Sequence, residues 1–348
     1  MRFFNEQHQH YCGIDLHART MYVCVLGRDG EVLLHRNCKA SPEDFLTATE
    51  PYRDDLVVAV ECMFAWYWLA DLCEQEGIPF VLGHALYMRA IHGGKSKNDK
   101  IDSLKIATLL RGGLLPMSYV YPRKMRSTRD VLRRRMFLVR KRAELLAHIT
   151  NTTHQYNLPL HEKRLFFRRN REDAADRYQD PSARKSVEVD LALINSYDMV
   201  LADLDLFIVR TAKEHDPQSY HLLRSVPGIG QVLALVILYE IHEIKRFLRV
   251  QDFVSYARLV RCAKESAGKR SGFSNKKIGN AHLKWAFSEA ACLFLRNNEK
   301  GKKYVARLAG KHGKGKAMSI LAHKLGRAVY FMLKRKEAFN QELFLAHA

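Results

Sequence analysis

Four acidic residues, Asp15, Glu61, Asp99 and Asp102, stand at positions from which they could bind a metal ion together. Asp15 follows the apolar run Tyr11-Cys12-Gly13-Ile14, and Glu61 ends Leu56-Val57-Val58-Ala59-Val60. Asp99 and Asp102 lie in Lys97-Asn98-Asp99-Lys100-Ile101-Asp102, at the mouth of a helical pattern, and share a face at i,i+3. Acids at the ends of neighbouring strands and on one helix face can converge on a point. Such a cluster attracts Mg²⁺, a hard cation that takes oxygen ligands. Two such ions about 4 Å apart clamp the attacking and leaving oxygens of a phosphodiester. Any one of these acids alone reads as a turn cap, a favoured helix start or a surface ion pair. Glu61 tips the balance, because a carboxylate closing a buried run is costly unless paired or metal-bound. Lys95 and Lys97 stand beside the acids and could steer a phosphate backbone to them.

Hydrophobic patterning predicts the strands and helices that carry these acids. Three strand-like runs, 11–17, 20–27 and 31–38, come first, with Arg28-Asp29-Gly30 as a hairpin turn. Ser41-Pro42-Glu43-Asp44 predicts a capped helix start. A strand over 55–61, a helix over about 65–76, a strand over 79–83 and a helix from Asp99 to Arg111 complete the set. Three antiparallel strands, then helix–strand–helix–strand–helix, is the element order of the ribonuclease H-like fold. The predicted class is therefore α/β over 11–120, followed by all-α segments.

Residues 121–216 contain no glycine and read as a helical, coiled-coil-like arm. The stretch 121–171 carries fifteen Lys and Arg against three Asp and Glu. Leu132, Met136, Val139, Ala143, Leu146 and Ile149 form an apolar stripe, with Arg133, Arg134, Arg140 and Lys141 largely off it. Asn157-Leu158-Pro159 breaks the pattern, and a second helix is predicted from about 186 to 214. Residues 217–340 read as a compact helical domain, with helices over about 281–297 and 317–336 and a basic linker between them.

Composition narrows the partners. A formal net charge of +20 over 348 residues favours polyanions. No apolar run approaches the roughly 20 residues of a spanning helix, and no secretory signal is legible at the start. Seven cysteines without a CxxC pair argue against a zinc site or a disulfide framework and for a reduced compartment. His8 and His10 are expected near a disordered end, and the other histidines follow no ligand spacing.

Two further motifs carry chemistry. Val226-Pro227-Gly228-Ile229-Gly230 has the form of a helix-hairpin-helix turn, whose amides around Gly228 and Gly230 can hold a phosphate. Its plainer reading is a tight helix–helix turn. Glu265-Ser266-Ala267-Gly268-Lys269-Arg270-Ser271-Gly272 is a small-residue loop with two cations. A serine there could attack a phosphodiester if a carboxylate or metal site activated it. On composition alone it is a flexible polar loop, and no His–Asp partner sits at a triad spacing.

Gly13-Ile14-Asp15-Leu16-His17, Val58-Ala59-Val60-Glu61, Lys97-Asn98-Asp99-Lys100-Ile101-Asp102, Ser225-Val226-Pro227-Gly228-Ile229-Gly230 and Lys276-Lys277-Ile278-Gly279-Asn280-Ala281-His282-Leu283-Lys284 together resemble the DEDD-type insertion-sequence transposases. That group comprises the bridge-RNA-guided recombinases and is related to the Piv DNA invertase. The resemblance runs from about 11 to 335. It implies a RuvC-like domain whose four acids bind Mg²⁺, a coiled-coil arm, and a C-terminal transposase domain with a nucleophilic serine. Counted back from Gly279, Ser266 takes the serine position, with Lys269 and Arg270 beside it; Ser271 is the rival. The implied partners are donor and target DNA, a non-coding guide RNA, and further copies of the chain as a homodimer and a tetramer on DNA. The implied location is the cytoplasm, at the nucleoid, with no membrane. Two other classes stay open on the residues. One is a metal-dependent junction nuclease using water, and the other is a non-catalytic nucleic-acid-binding protein.

Overall fold

The computed structural model describes residues 2–91, 98–211, 216–260, 263–273 and 278–346, with backbone alone at 90, 263–266, 270–271 and 273. Lys95 and Lys97 lie outside the described residues. The chain divides into two compact units, Met1–Arg123 and Lys124–Ala348.

The first unit is built on a five-stranded mixed sheet of order β3-β2-β1-β4-β5. Its strands are β1 (His10–Leu16), β2 (Thr20–Gly27), β3 (Val32–Lys39), β4 (Leu56–Glu61) and β5 (Phe80–Gly83). β1, β2 and β3 pair antiparallel, while β4 joins β1 in parallel and β5 joins β4 in parallel. The helices are α1 (Pro42–Thr49), α2 (Tyr67–Gln75), α3 (Ala85–Ile91) and α4 (Asp99–Arg111). Ser41 caps α1 as predicted, its hydroxyl accepting from the Asp44 amide at 3.2 Å.

Alternate residues of the central strands feed two cores. Cys12, Ile14, Val58 and Val60 point into one, and Tyr11, Val57 and Ala59 into the other. A strand buried on both faces must be apolar at nearly every position. That is why Leu56–Val60 reads as an unbroken apolar run and why Glu61 stands out at its end.

The N-terminal segment is tied down, contrary to the expectation of a disordered end. His8 Nδ1 lies 2.6 Å from Asp55 Oδ1, and the Gln9 amide donates to Asp55 Oδ2 at 2.8 Å. The hydrogen bond from His8 holds the Asp55 carboxyl below its ordinary range. α3, absent from the sequence reading, is a further addition.

The second unit is helical apart from one hairpin. Its elements are α5 (Arg123–Gln155), α6 (Pro181–Thr211), α7 (Pro217–Arg224), α8 (Gln231–Ile241), α9 (Val250–Tyr256), β6 (Ala263–Ser266), β7 (Lys269–Phe273), α10 (Ala281–Phe294), α11 (Glu299–His312), α12 (Lys314–Arg335) and α13 (Gln341–Ala346). α5 and α6 run antiparallel. Arg135 pairs with Asp205, Arg142 with Asp198, and His148 with Asp190 at 2.5 Å. Each step along α5 is matched by a reverse step of similar length along α6. Leu132 and Met136 join the main helical core, Ile149 a smaller one, while Ala143 of the expected stripe is exposed.

Two expectations need correction here. The polar loop around 262–280 contains a β-hairpin, because Ala267 and Gly268 both adopt positive φ and close a tight two-residue turn. The basic linker after residue 298 is α11, capped by Asn298, whose side chain accepts from the Gly301 amide at 2.9 Å. Its high lysine content masks good helix formers spaced around a buried Val305.

Candidate active site

Asp15 comes first. β1 and β4 run parallel with Ile14 opposite Val60, so one further step on each strand sets Glu61 beside Asp15. The ends of two neighbouring parallel strands thus carry one acid each.

α4 brings the other two. Asn98 caps it, accepting from the Ile101 amide at 2.8 Å, so Asp99 and Asp102 fall in the first turn. Acids there are favoured by the helix dipole. Gly13 is what lets α4 approach. A Cβ on Gly13 would lie 2.2 Å from the Ala107 amide nitrogen and 2.4 Å from the Ser103 carbonyl oxygen. His35 of β3 ties the same end down, with Nε2 2.9 Å from the Lys100 carbonyl and 3.2 Å from Ser103 Oγ.

The result is a convergence. His17 Nε2 lies 3.4 Å from Asp15 Oδ2 and 3.5 Å from Asp99 Oδ1. One ligand atom from each of Asp15, His17 and Asp99 falls within 4.8 Å of the others. Burial pushes the Asp15 carboxyl up; His17 opposes this, and the negative charges of Asp99 and Asp102 reinforce it. Asp102 keeps one contact of its own, to Lys105 Nζ at 3.3 Å. Neighbouring carboxylates whose negative charge raises that of Asp15 make a site where a divalent cation relieves repulsion. The carboxylate oxygens fit such a hard ion, with the His17 imidazole held between two of them.

His17 is the residue sequence reasoning missed. The signal was present, because Asp15 and His17 are two apart at the end of a strand and so share a face. Gly13 is legible in sequence only as part of the Gly13–His17 motif, because nothing local reveals the helix it faces.

The remaining candidates lie in the second unit. Ser266 and Lys269 are cross-strand partners flanking the hairpin turn, with Lys269 exposed. Arg270 and Ser271 follow on β7. Gly228 has φ +87°, and a Cβ there would meet the Phe294 amide nitrogen at 2.5 Å. Gly230 caps α8 with open space where its Cβ would be. Arg134 lies over the Phe137 ring at 5.2 Å, Arg140 is exposed, and Lys141 reaches Glu144 at 2.7 Å.

Arg133 has an internal role. Its Nε donates to Glu240 Oε1 at 2.6 Å and its Nη2 to Oε2 at 2.9 Å. Arg129 and Asn280 add bonds to Oε2 at 3.1 and 2.7 Å. Burial alone would push the Glu240 carboxyl up, but these donors outweigh it and hold it at about 2. Asn280 also caps α10 through the His282 and Leu283 amides. The Gly279-Asn280 motif therefore knits α5, α8 and α10 together.

Comparison with known proteins gives the class. Residues 12–158 match a family model of DEDD-type transposases, and residues 220–306 match the transposase IS116/IS110/IS902 family. Both models describe transposases, enzymes that cut and rejoin DNA, and together they cover about two thirds of the chain. The transposase for insertion sequence element IS1111A of Coxiella burnetii is 21% identical over 335 residues, spanning 94% of this chain and 90% of that protein. The chain belongs to the IS110 family of insertion-sequence transposases. Among the described residues, no helix is long and apolar enough to cross a membrane.

Proposed function

We propose that this transposase is an RNA-guided recombinase that cuts and rejoins DNA through a covalent phosphoserine. The observation that carries the reading is the convergence of Asp15 and Asp99 around His17, with Asp102 in the same first turn of α4 and Glu61 on the adjacent strand, in a member of a DEDD family. The strand order supports a RuvC-like assignment for the first unit.

Asp15, Glu61, Asp99 and Asp102 would hold Mg²⁺, which supplies polarisation of the scissile phosphate and stabilisation of the departing oxygen. His17 orients Asp15 and Asp99. Ser266 Oγ attacks phosphorus; a new P–O bond forms as the bond to the departing sugar oxygen breaks, and the serine's proton ends on that oxygen. One ester replaces another, so the reverse step on a new strand rejoins DNA without ATP. Lys269 and Arg270, close to Ser266 in sequence, would hold the phosphate under attack, and Ser271 is the alternative nucleophile.

Guide RNA would choose sites by pairing with donor and target DNA, leaving the protein to read backbone and shape. Arg134, Arg140 and Lys141 on the arm, and the Gly228–Gly230 turn, suit backbone contacts. A homodimer through the arm is supported by α6, where Leu193, Val200 and Phe207 are exposed at seven-residue spacing. Two such dimers on DNA would let acids from one copy serve the serine of another.

The test is covalent capture. DNA incubated with the protein should give a protein–DNA adduct that survives denaturant, with the linked peptide mapping to Ser266. Mapping to Ser271 would move the nucleophile by five residues. Normal cutting by a Ser266→Ala, Ser271→Ala double variant would return the reading to a water-using nuclease.

A further inference from the structure

Residues 300–336 contain twelve Lys and Arg and no Asp or Glu. In sequence, the first part of this stretch looks like a linker, but α11 makes it a surface. α11 buries Gly301 and Val305. At 3.6 residues per turn, Lys303, Arg307 and Lys311 then share a face turned away from that core. All three are exposed, as are Lys314 and Lys316 just past Gly313.

Nearby acids are already engaged. Glu299 pairs with Lys302 at 2.6 Å, and Glu342 with Lys300 at 2.9 Å. Among the described residues, none of the five stripe cations has an acidic partner within 4 Å. Beside them, Lys324 lies over the Tyr304 and Phe344 rings at 4.8 and 4.9 Å. Its partial burial and the neighbouring Arg307 push its pKa down. Like charges gathered without a counter-charge are costly, and an anion removes that cost.

The arm behaves differently. Arg129, Arg133, Arg135, Arg142 and Arg171 all pair with acids of their own unit. Part of the charge surplus that marks 121–171 in sequence is thus satisfied internally, whereas the five stripe cations of 300–336 have no acidic partner among the described residues.

We propose that α11 and the start of α12 form a phosphate-tracking surface that holds duplex DNA by its backbone. The inference rests on the family's DNA substrate. Lys303 to Lys311 spans about 12 Å at 1.5 Å per residue, over which duplex DNA presents about seven phosphates. No exposed aromatic joins the stripe to stack single-stranded bases, and Tyr304 is covered by Lys324. Such a surface positions DNA without reading it.

The experiment measures anisotropy of a labelled DNA duplex of arbitrary sequence against salt. In the Lys303→Gln, Arg307→Gln, Lys311→Gln triple variant, the slope of log affinity against log salt should shrink by about 2 to 3, at about 0.9 per lost phosphate contact. The loss should be the same for unrelated sequences. Lys302→Gln, on the same helix but paired with Glu299, should leave the slope unchanged. A wild-type slope in the triple variant overturns the proposal, as does an equal loss in Lys302→Gln or a loss confined to double-stranded RNA. Cleavage assays on wild-type protein test the acids separately, so a failed stripe leaves the catalytic reading standing.

Discussion

Gly13 of β1 and Ala107 of α4 touch backbone to backbone, so closely that a Cβ on Gly13 would sit 2.2 Å from the Ala107 amide nitrogen. That contact sets the distance between Asp15, two residues on, and the acids of the first turn of α4. Gly13→Ala should therefore push α4 outward and separate the two groups. The cost should reach about 3 kcal/mol, the upper range for overpacking. Calorimetric melting should show the destabilisation, and Mn²⁺ titration followed by electron paramagnetic resonance should show weakened binding. A variant with wild-type melting and wild-type ion affinity would remove Gly13 from the site's design.

Removing a carboxylate should stop chemistry while sparing the fold. Asp15→Asn and Glu61→Gln should each lower strand cleavage by at least about 10²-fold, with DNA affinity near wild type. Chelation of divalent ions should do the same reversibly. His17→Ala should be milder, about 10-fold, the low end for a group that orients metal ligands. Cleavage at full rate in Asp15→Asn would exclude this cluster as the active site.

Glu240 should govern acid stability of the second unit. Its carboxyl is held at about 2, against an ordinary value of 4.5. A depressed carboxylate contributes stability above its unfolded value and loses it as pH falls towards its folded value. The contribution, on the order of 3 kcal/mol, is complete above about pH 4.5 and disappears on the way down to about 2. Glu240→Gln leaves Arg129 and Arg133 without their buried counter-charge and should cost about 3 kcal/mol at pH 7. Denaturant melts from pH 7 to 3 should converge for the two proteins as pH falls. Parallel curves would show that Glu240 is not the titrating group.

The exposed stripe on α6 predicts self-association. Leu193→Glu with Val200→Glu should shift a dimer to monomer in light scattering, with unchanged helicity by circular dichroism. Mixing Asp15→Asn with Ser266→Ala protein should restore part of the cleavage activity if the site is shared between copies. Monomeric wild-type protein would refute the arm interface.

Local sequence patterns were enough to place the five strands and most helices of the first unit and to single out Asp15, Glu61, Asp99 and Asp102. Unbroken apolar runs marked β1 and β4, and a helix start marked Asp99 and Asp102, because those patterns are local. The antiparallel-then-parallel sheet followed from element order, since short hairpins and helical crossovers leave few alternatives.

Contacts between residues far apart in sequence are not encoded in local pattern. His17 joins the site only because the turn after β1 meets the start of α4. Arg133 looked like a free cation until Glu240, 107 positions later, was folded against it. Lys303, Arg307 and Lys311 looked like part of a linker until α11 aligned them. In each case the deciding quantity is the neighbour that folding supplies. A charge's role depends on whether an opposite charge lies within a few ångströms, and sequence separation does not report that distance.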